Sequence, residues 1–533
     1  MIRKLVTSVV GLGLVAGLAF TGAGVSGALA DSGTPYTPYS FEHTPMGPDQ
    51  AVMVVTEPGV EFGGGSKLAV QPGSTGNTDT RGDWLYCSSS KDKTCDPTNP
   101  ALDLLALTVL PYCAKTTSQI CLESLELAPA GGDFSEAQFL GNSQGMTIPG
   151  DASQNLFEGS TPSLFKAANV PNRGGTNNYA VSIHFSENFN HSTGKYETSS
   201  MIADVVPYKE VSGNYTAAYF DATAKPRDAI KGTNGVTECA YINDGSCGQR
   251  QDFTAGTKVR LKFRFPTSMG GWFSGRMKSP EIAINKISDT VNEAVVSAEP
   301  VDVPQLAYVK NQSDITIEKT WNVGRGGIPT GQFWGVTAGG PGGEDSFKWV
   351  DLFRKPLNDT AEGTVSYWNL MTTNSGSGNS CLSDTSKVLG VVTTNAMTYD
   401  VAAPSFKDGF LNYNVSGLHY LPGGKDLALG TYDLVMRSDT ARCLYGFTNA
   451  PITATISVIG GETDNVATTV VNEANGWLKL AAYGFTFSDK TLQVKMTQAK
   501  ASAGSTRSSI TCVKGKVTKK VTGSKCPAGY KQK

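Results

Sequence analysis

Gly141-Asn142-Ser143-Gln144-Gly145 has the GxSxG spacing of a serine hydrolase, in which a strand delivers the serine into a tight turn and a helix leads away from it. Met-Thr-Ile-Pro-Gly follows instead. Pro149 and Gly150 stand where that helix would have to propagate, so the spacing predicts a loop at Ser143. Four histidines, His43, His184, His191 and His419, form no HExxH or HxH pair and read as hydrogen-bonded structural residues. Arg81-Gly82-Asp83 is an adhesion tripeptide by letters alone. The glycine-rich residues 324–331 (GRGGIPTG) lack the third glycine of a GxGxxG, and residues 338–343 lack the GK[ST] of a phosphate cradle. No DxDxDG loop and no CxxC or CxxH spacing occurs, so no metal and no cofactor is expected. Paired carboxylates of a glycosidase are assembled in space, and the sequence leaves them open.

The constellation with the clearest pattern is a ladder of cations. Lys258, Arg260, Lys262 and Arg264 alternate with Val259, Leu261, Phe263 and Phe265, a period of two that puts four apolar side chains on one face of a strand and four cations on the other. Cations about 6.6–6.8 Å apart along a strand face can track an anionic polymer. A solvated face paired with acidic neighbours gives the same pattern. Pro266 ends the strand, Gly270 and Gly271 supply a turn, and the compact GWFSGR unit follows, whose Arg276, with Lys278, would extend the ladder.

The elements that must position these residues are β-rich. Of 533 residues, 39% are apolar, 17% are charged and 60 are glycine, the composition of a globular chain full of turns. Apolar 3.6 periodicity nowhere extends past about three turns, and the most helical stretch, residues 101–110, is too short to decide. β-Branched and aromatic runs bounded by Gly, Pro, Asn and Asp recur throughout. The expectation is a mainly β, multi-domain, sandwich-like, disulfide-stapled fold with little helix, although a barrel fits the same strand spacing.

Ten cysteines form an even set of the kind found in exported chains. Cys87 and Cys95, Cys113 and Cys121, and Cys239 and Cys247 each enclose seven residues that include turn-formers, so local pairing is expected. Cys381 with Cys443, and Cys512 with Cys526, complete the set.

Residues 1–30 read as a leader, with Arg3 and Lys4 before an apolar run and Ala28-Leu29-Ala30 at the cleavage site. The expected organisation beyond it is an N-terminal β-rich region over 31–310, a sandwich-like region over 311–497, and a linker with a basic two-cysteine tail over 498–533. That tail carries nine basic residues from Lys500 onward and no acidic one, against an acidic body. Lys514, Lys516, Lys519 and Lys520 would lie within the Cys512–Cys526 loop. Such asymmetry points to self-docking or to an anionic polymer outside the cell, and an acidic body argues against nucleic acid.

FLNYNVSGLHYLPGG, YDLVMRSDTARCLYGFTNAPITATISV, NGWLKLAAYGFTFS, GWFSGR and the terminal ITCVKGKVTKKVTGSKCPAGYK resemble a group of large secreted actinobacterial proteins to which no activity is assigned. The resemblance covers about half the chain. It implies export from a Gram-positive cell and transfers no site residue. Two function classes follow: a secreted, cell-surface or wall-associated non-catalytic β protein that binds an anionic polymer, a glycan or a protein partner, and an extracellular hydrolase acting on glycan or ester.

Overall fold

The computed structural model describes residues 38–40, 50–56, 64–72, 84–232, 238–311, 333–337, 347, 350–351, 353–373, 379–400, 402–459, 468–487, 490–498, 509–522 and 525–533. The leader, His43, the Arg81-Gly82-Asp83 tripeptide, both glycine-rich loops and most of the linker before the tail lie outside these residues.

The expected mainly β fold is present. Its organising strand is Gly271–Arg276, the GWFSGR unit, which is buried along its whole length. This strand lies between Asn369–Thr373, to which it is antiparallel, and Val388–Thr394, to which it is parallel, within a 15-stranded sheet. Adjacent residues of a strand point to opposite faces. Trp272 accordingly enters one core, with Leu389, Tyr399, Tyr413 and Leu480, while Phe273 enters another, with Phe185, Phe263, Val296 and Leu370. Gly275 has no side chain because the Asn369 carbonyl stands 2.2 Å from where a Cβ would be.

A five-stranded sheet covers each of these two cores. One consists of Lys278–Lys286, Val291–Glu299, Lys258–Pro266, Leu122–Ala128 and Ser135–Glu136, in that order. In it, Val259, Leu261, Phe263 and Phe265 are all buried, as their alternation with the cations predicts. The other sheet includes Phe410–Ser416, Lys490–Gln498 and Ile452–Ile459. This layering is a sandwich built on both faces of one sheet. Sheets and cores both run across the boundary expected near residue 311: Gly271–Arg276 and Lys195–Ser212 from before it pair directly with strands after it, Trp272 lies in the core of the second half, and Leu370 and Val391 lie in that of the first.

Two local elements are decided only by the structure. Residues 101–110 contain the strand Leu102–Val109, which is paired on both edges by Lys67–Pro72 and Asn178–Asn190. Cross-strand pairing outweighs weak helix propensity over so short a stretch. A short helix, Ser438–Tyr445, interrupts the strand-rich second half and is ended by Gly446 at φ +65°, the left-handed stop that glycine supplies without steric cost.

All five expected cystine pairs form: Cys87–Cys95, Cys113–Cys121, Cys239–Cys247, Cys381–Cys443 and Cys512–Cys526. No helix among the described residues is long and apolar enough to cross a membrane.

Candidate functional site

The cation ladder faces outward from its sheet, where the neighbouring strands supply carboxylates. Arg260 Nη1 donates to Glu126 Oε2 at 2.8 Å. Lys262 Nζ lies 2.8 Å from Glu123 and 2.9 Å from Glu293, and Arg264 Nε donates to Glu123 as well. Burial raises the Glu123 carboxyl, but the hydrogen bonds from Lys262 and Arg264 outweigh it and hold the group below its ordinary value. The face is therefore an alternation of both signs, and a polyanion following it would have to displace three internal carboxylates. Lys258 sits exposed at the start of the strand.

Arg276 is not on that face. It is fully buried in the core that contains Trp272, where Nη1 donates to the Thr394 and Ala396 carbonyls and Nη2 to Met397 O at 3.2 Å. Its guanidinium stacks on Tyr399 at 4.4 Å. This corrects its place in the ladder, because both sides of a central strand are covered. The tail lysines occupy a three-stranded sheet, Ser509–Lys514, Val517–Thr522 and Lys531–Gln532. Thr511 pairs with Lys520 and Cys512 with Lys519, so the pleat sends these two neighbouring lysines to opposite faces. Lys514 and Lys516 are exposed beside them.

Ser143 follows the strand Gln138–Asn142, but no helix leaves it. The chain instead returns through bridges Met146 to Gly65 and Ile148 to Gly159. His184 Nε2 pairs with Ser182 Oγ at 2.7 Å, His191 with the Leu102 carbonyl and His419 with the Phe487 carbonyl. Burial, with Lys67 nearby, pushes the His184 ring down to about 3, so it is neutral at any physiological pH. These are structural contacts. The described residues hold no cluster of three or more His, Cys, Asp or Glu able to bind a metal.

The site with convergent chemistry is a cleft of about 450 Å³ at the edge strand Lys278–Lys286. The five-stranded sheet contributes Arg260, Glu281, Ala283, Val295 and Ser297, and the large sheet contributes Val435, Asn472, Trp477 and Lys479, with Asn475 from the turn. One hairpin places the second group. Asn475 at φ +52° and Gly476 at φ +79° give the paired left-handed residues of a tight hairpin turn, which joins Thr468–Ala474 to Trp477–Thr486. Leu478 and Leu480 are buried in the core, and the alternating Trp477 and Lys479 line the cleft.

A part-buried network centred on the buried Asp433 couples the two walls. Asp433, on Leu429–Arg437, accepts from Tyr483 Oη at 2.6 Å and from Ser279 N at 3.1 Å, and Ser279 Oγ meets the same tyrosine at 2.8 Å. Ser279 adopts φ +54° to make this contact, at a register shift between the edge strand and its neighbour. Burial pushes the Asp433 carboxyl up to about 6 against the opposing hydrogen bonds. A carboxyl with a raised folded-state value contributes stability that is complete below pH ~4 and is lost as the pH rises through ~6. Asp433→Asn can accept from Ser279 and donate to Tyr483, so it keeps the network and removes the charge. It should match the parent in thermal denaturation at pH 4 and exceed it at pH 7.5 by about 1–3 kcal/mol. A difference independent of pH would contradict the assignment.

Sequence reading missed Trp477, Lys479, Asn472 and Asn475. An Asn-Gly turn followed by alternating Trp477, Leu478, Lys479 and Leu480 was the available signal. No family model, no curated protein and no solved structure matches the chain.

Proposed function

We propose that the protein is a secreted, cell-surface or wall-associated non-catalytic β protein that binds an anionic polymer or glycan in the cleft between Arg260 and the Trp477 hairpin. The observation that carries this reading is the lining itself: an aromatic side chain, two cations and two amides converge on one concavity, the combination of an apolar body and a few placed polar groups that ligand sites use. Five cystines support an oxidising compartment. The exposed tail lysines add a general attraction to polyanions. Hydrolysis by paired acids needs two carboxylates flanking one bond, and the described lining carries Glu281.

Ala283 is an exposed residue of the cleft wall, and Ala283→Trp would fill the space without removing a charge. The intact protein should sediment with insoluble acidic polysaccharide at low salt and be released in part at high salt, because exposed charges are screened beyond roughly 8 Å at physiological ionic strength. Ala283→Trp should reduce that retention about tenfold, whereas deletion of 501–533 should lower only its salt-sensitive part. Retention unchanged in Ala283→Trp would refute the cleft as the site.

A further inference from the structure

We infer that the cleft takes an acidic pyranose, a uronic-acid ring within a glycan, stacked on Trp477 with its carboxylate held by Arg260 and Lys479; this rests on the cleft being the binding site. Each part of such a ring has a counterpart in the lining. The flat C–H face of a pyranose needs a flat apolar surface, and Trp477, half-buried against the core, lines the cleft. Its position is set by the strand it begins, since Trp477 pairs with both Ala474 and Arg437. Ring hydroxyls need groups that donate and accept side by side, and Asn472 and Asn475 supply two such amides.

The carboxylate has a prepared partner. Arg260 is fixed twice over, by Glu126 on Nη1 at 2.8 Å and by Phe134, whose ring centroid lies 3.8 Å from the guanidinium carbon. A guanidinium has five donors in a rigid fork, so one held in plane by an arene can still present an edge to a carboxylate with little further loss of freedom. Lys479 adds a point charge from the opposite sheet. Charge balance selects among anions. Two cations face Glu281, which leaves the lining itself with one net positive charge, and Arg260 shares its own with Glu126. The site therefore balances at most one negative charge per ring and disfavours a phosphate monoester, which carries about −1.5 to −2. A glycerol phosphate chain has the right charge but no flat face for the indole.

Titration calorimetry on the full chain tests this with three probes: tetragalacturonate, the same tetrasaccharide with its carboxyls reduced to alcohols, and oligo(glycerol phosphate). Tetragalacturonate should bind and shift tryptophan emission, and the reduced form should bind about tenfold more weakly, the scale of a charged hydrogen bond. Trp477→Leu, which keeps an apolar contact with the core but lacks the flat ring, should also weaken tetragalacturonate about tenfold. Lys479→Gln should weaken it without affecting the reduced probe. Equal binding of acidic and reduced probes, both blocked by Ala283→Trp, would overturn the acidic ligand while leaving the cleft as the site. Oligo(glycerol phosphate) binding as tightly as tetragalacturonate, and insensitive to Trp477→Leu, would overturn the pyranose. Tetragalacturonate binding that Ala283→Trp leaves intact would overturn the cleft assignment as well.

Discussion

Arg276→Met should lower the unfolding free energy by about 3–5 kcal/mol, the range for removing one partner from a buried charged network. Methionine fills much of the arginine stem but has no donor. The carbonyls of Thr394, Ala396 and Met397, which the guanidinium satisfies in a fully buried setting, would lose those hydrogen bonds with no water to replace them. The stack on Tyr399 would be lost with them. Arg276→Lys should recover little, because a single ammonium cannot span three carbonyls and offer a planar face at once. Urea denaturation, followed by far-ultraviolet circular dichroism, reads the effect. A midpoint within error of the parent would show that the core tolerates the loss and would refute a stabilising role for the buried guanidinium.

Replacing Cys381 and Cys443 together by alanine should cost about 4 kcal/mol, the chain-entropy value for a closure of this length. These cysteines are 62 positions apart, against eight for each of the three short loops, whose removal should cost roughly 2–3 kcal/mol apiece. The long bridge also ties the chain entering Val388–Thr394 to the helix Ser438–Tyr445. Its loss frees the entry and the exit of a segment whose strands, Val388–Thr394 and Leu429–Arg437, pair in the middle of the large sheet. The ordering of midpoints, parent above the short-loop variants and those above the Cys381/Cys443 variant, is the measurable outcome. A Cys381/Cys443 variant as stable as the Cys87/Cys95 variant would contradict the dependence on loop length.

What the sequence by itself determined was local. The strand Lys258–Pro266 was legible to its last residue because alternation has a period of two and proline cannot donate to a ladder. The three short cystine loops were legible because seven residues with turn-formers bring their ends together without help from the rest of the chain. The predominance of strand followed from the same short-range patterns. Tertiary structure decided everything that depends on what lies across a strand or beneath a sheet. Lys262 and Arg276 look alike in sequence, as cations within β runs. One lies on an outer face among Glu123 and Glu293, and the other lies in a strand covered on both sides. Only the order of strands in the large sheet distinguishes them. Arg260 and Trp477 are more than two hundred residues apart, and they line one cleft because the edge strand Lys278–Lys286 is fastened to the large sheet through Ser279, Asp433 and Tyr483. No periodicity along a chain encodes such a meeting, since it is set by how two sheets pack and where they part.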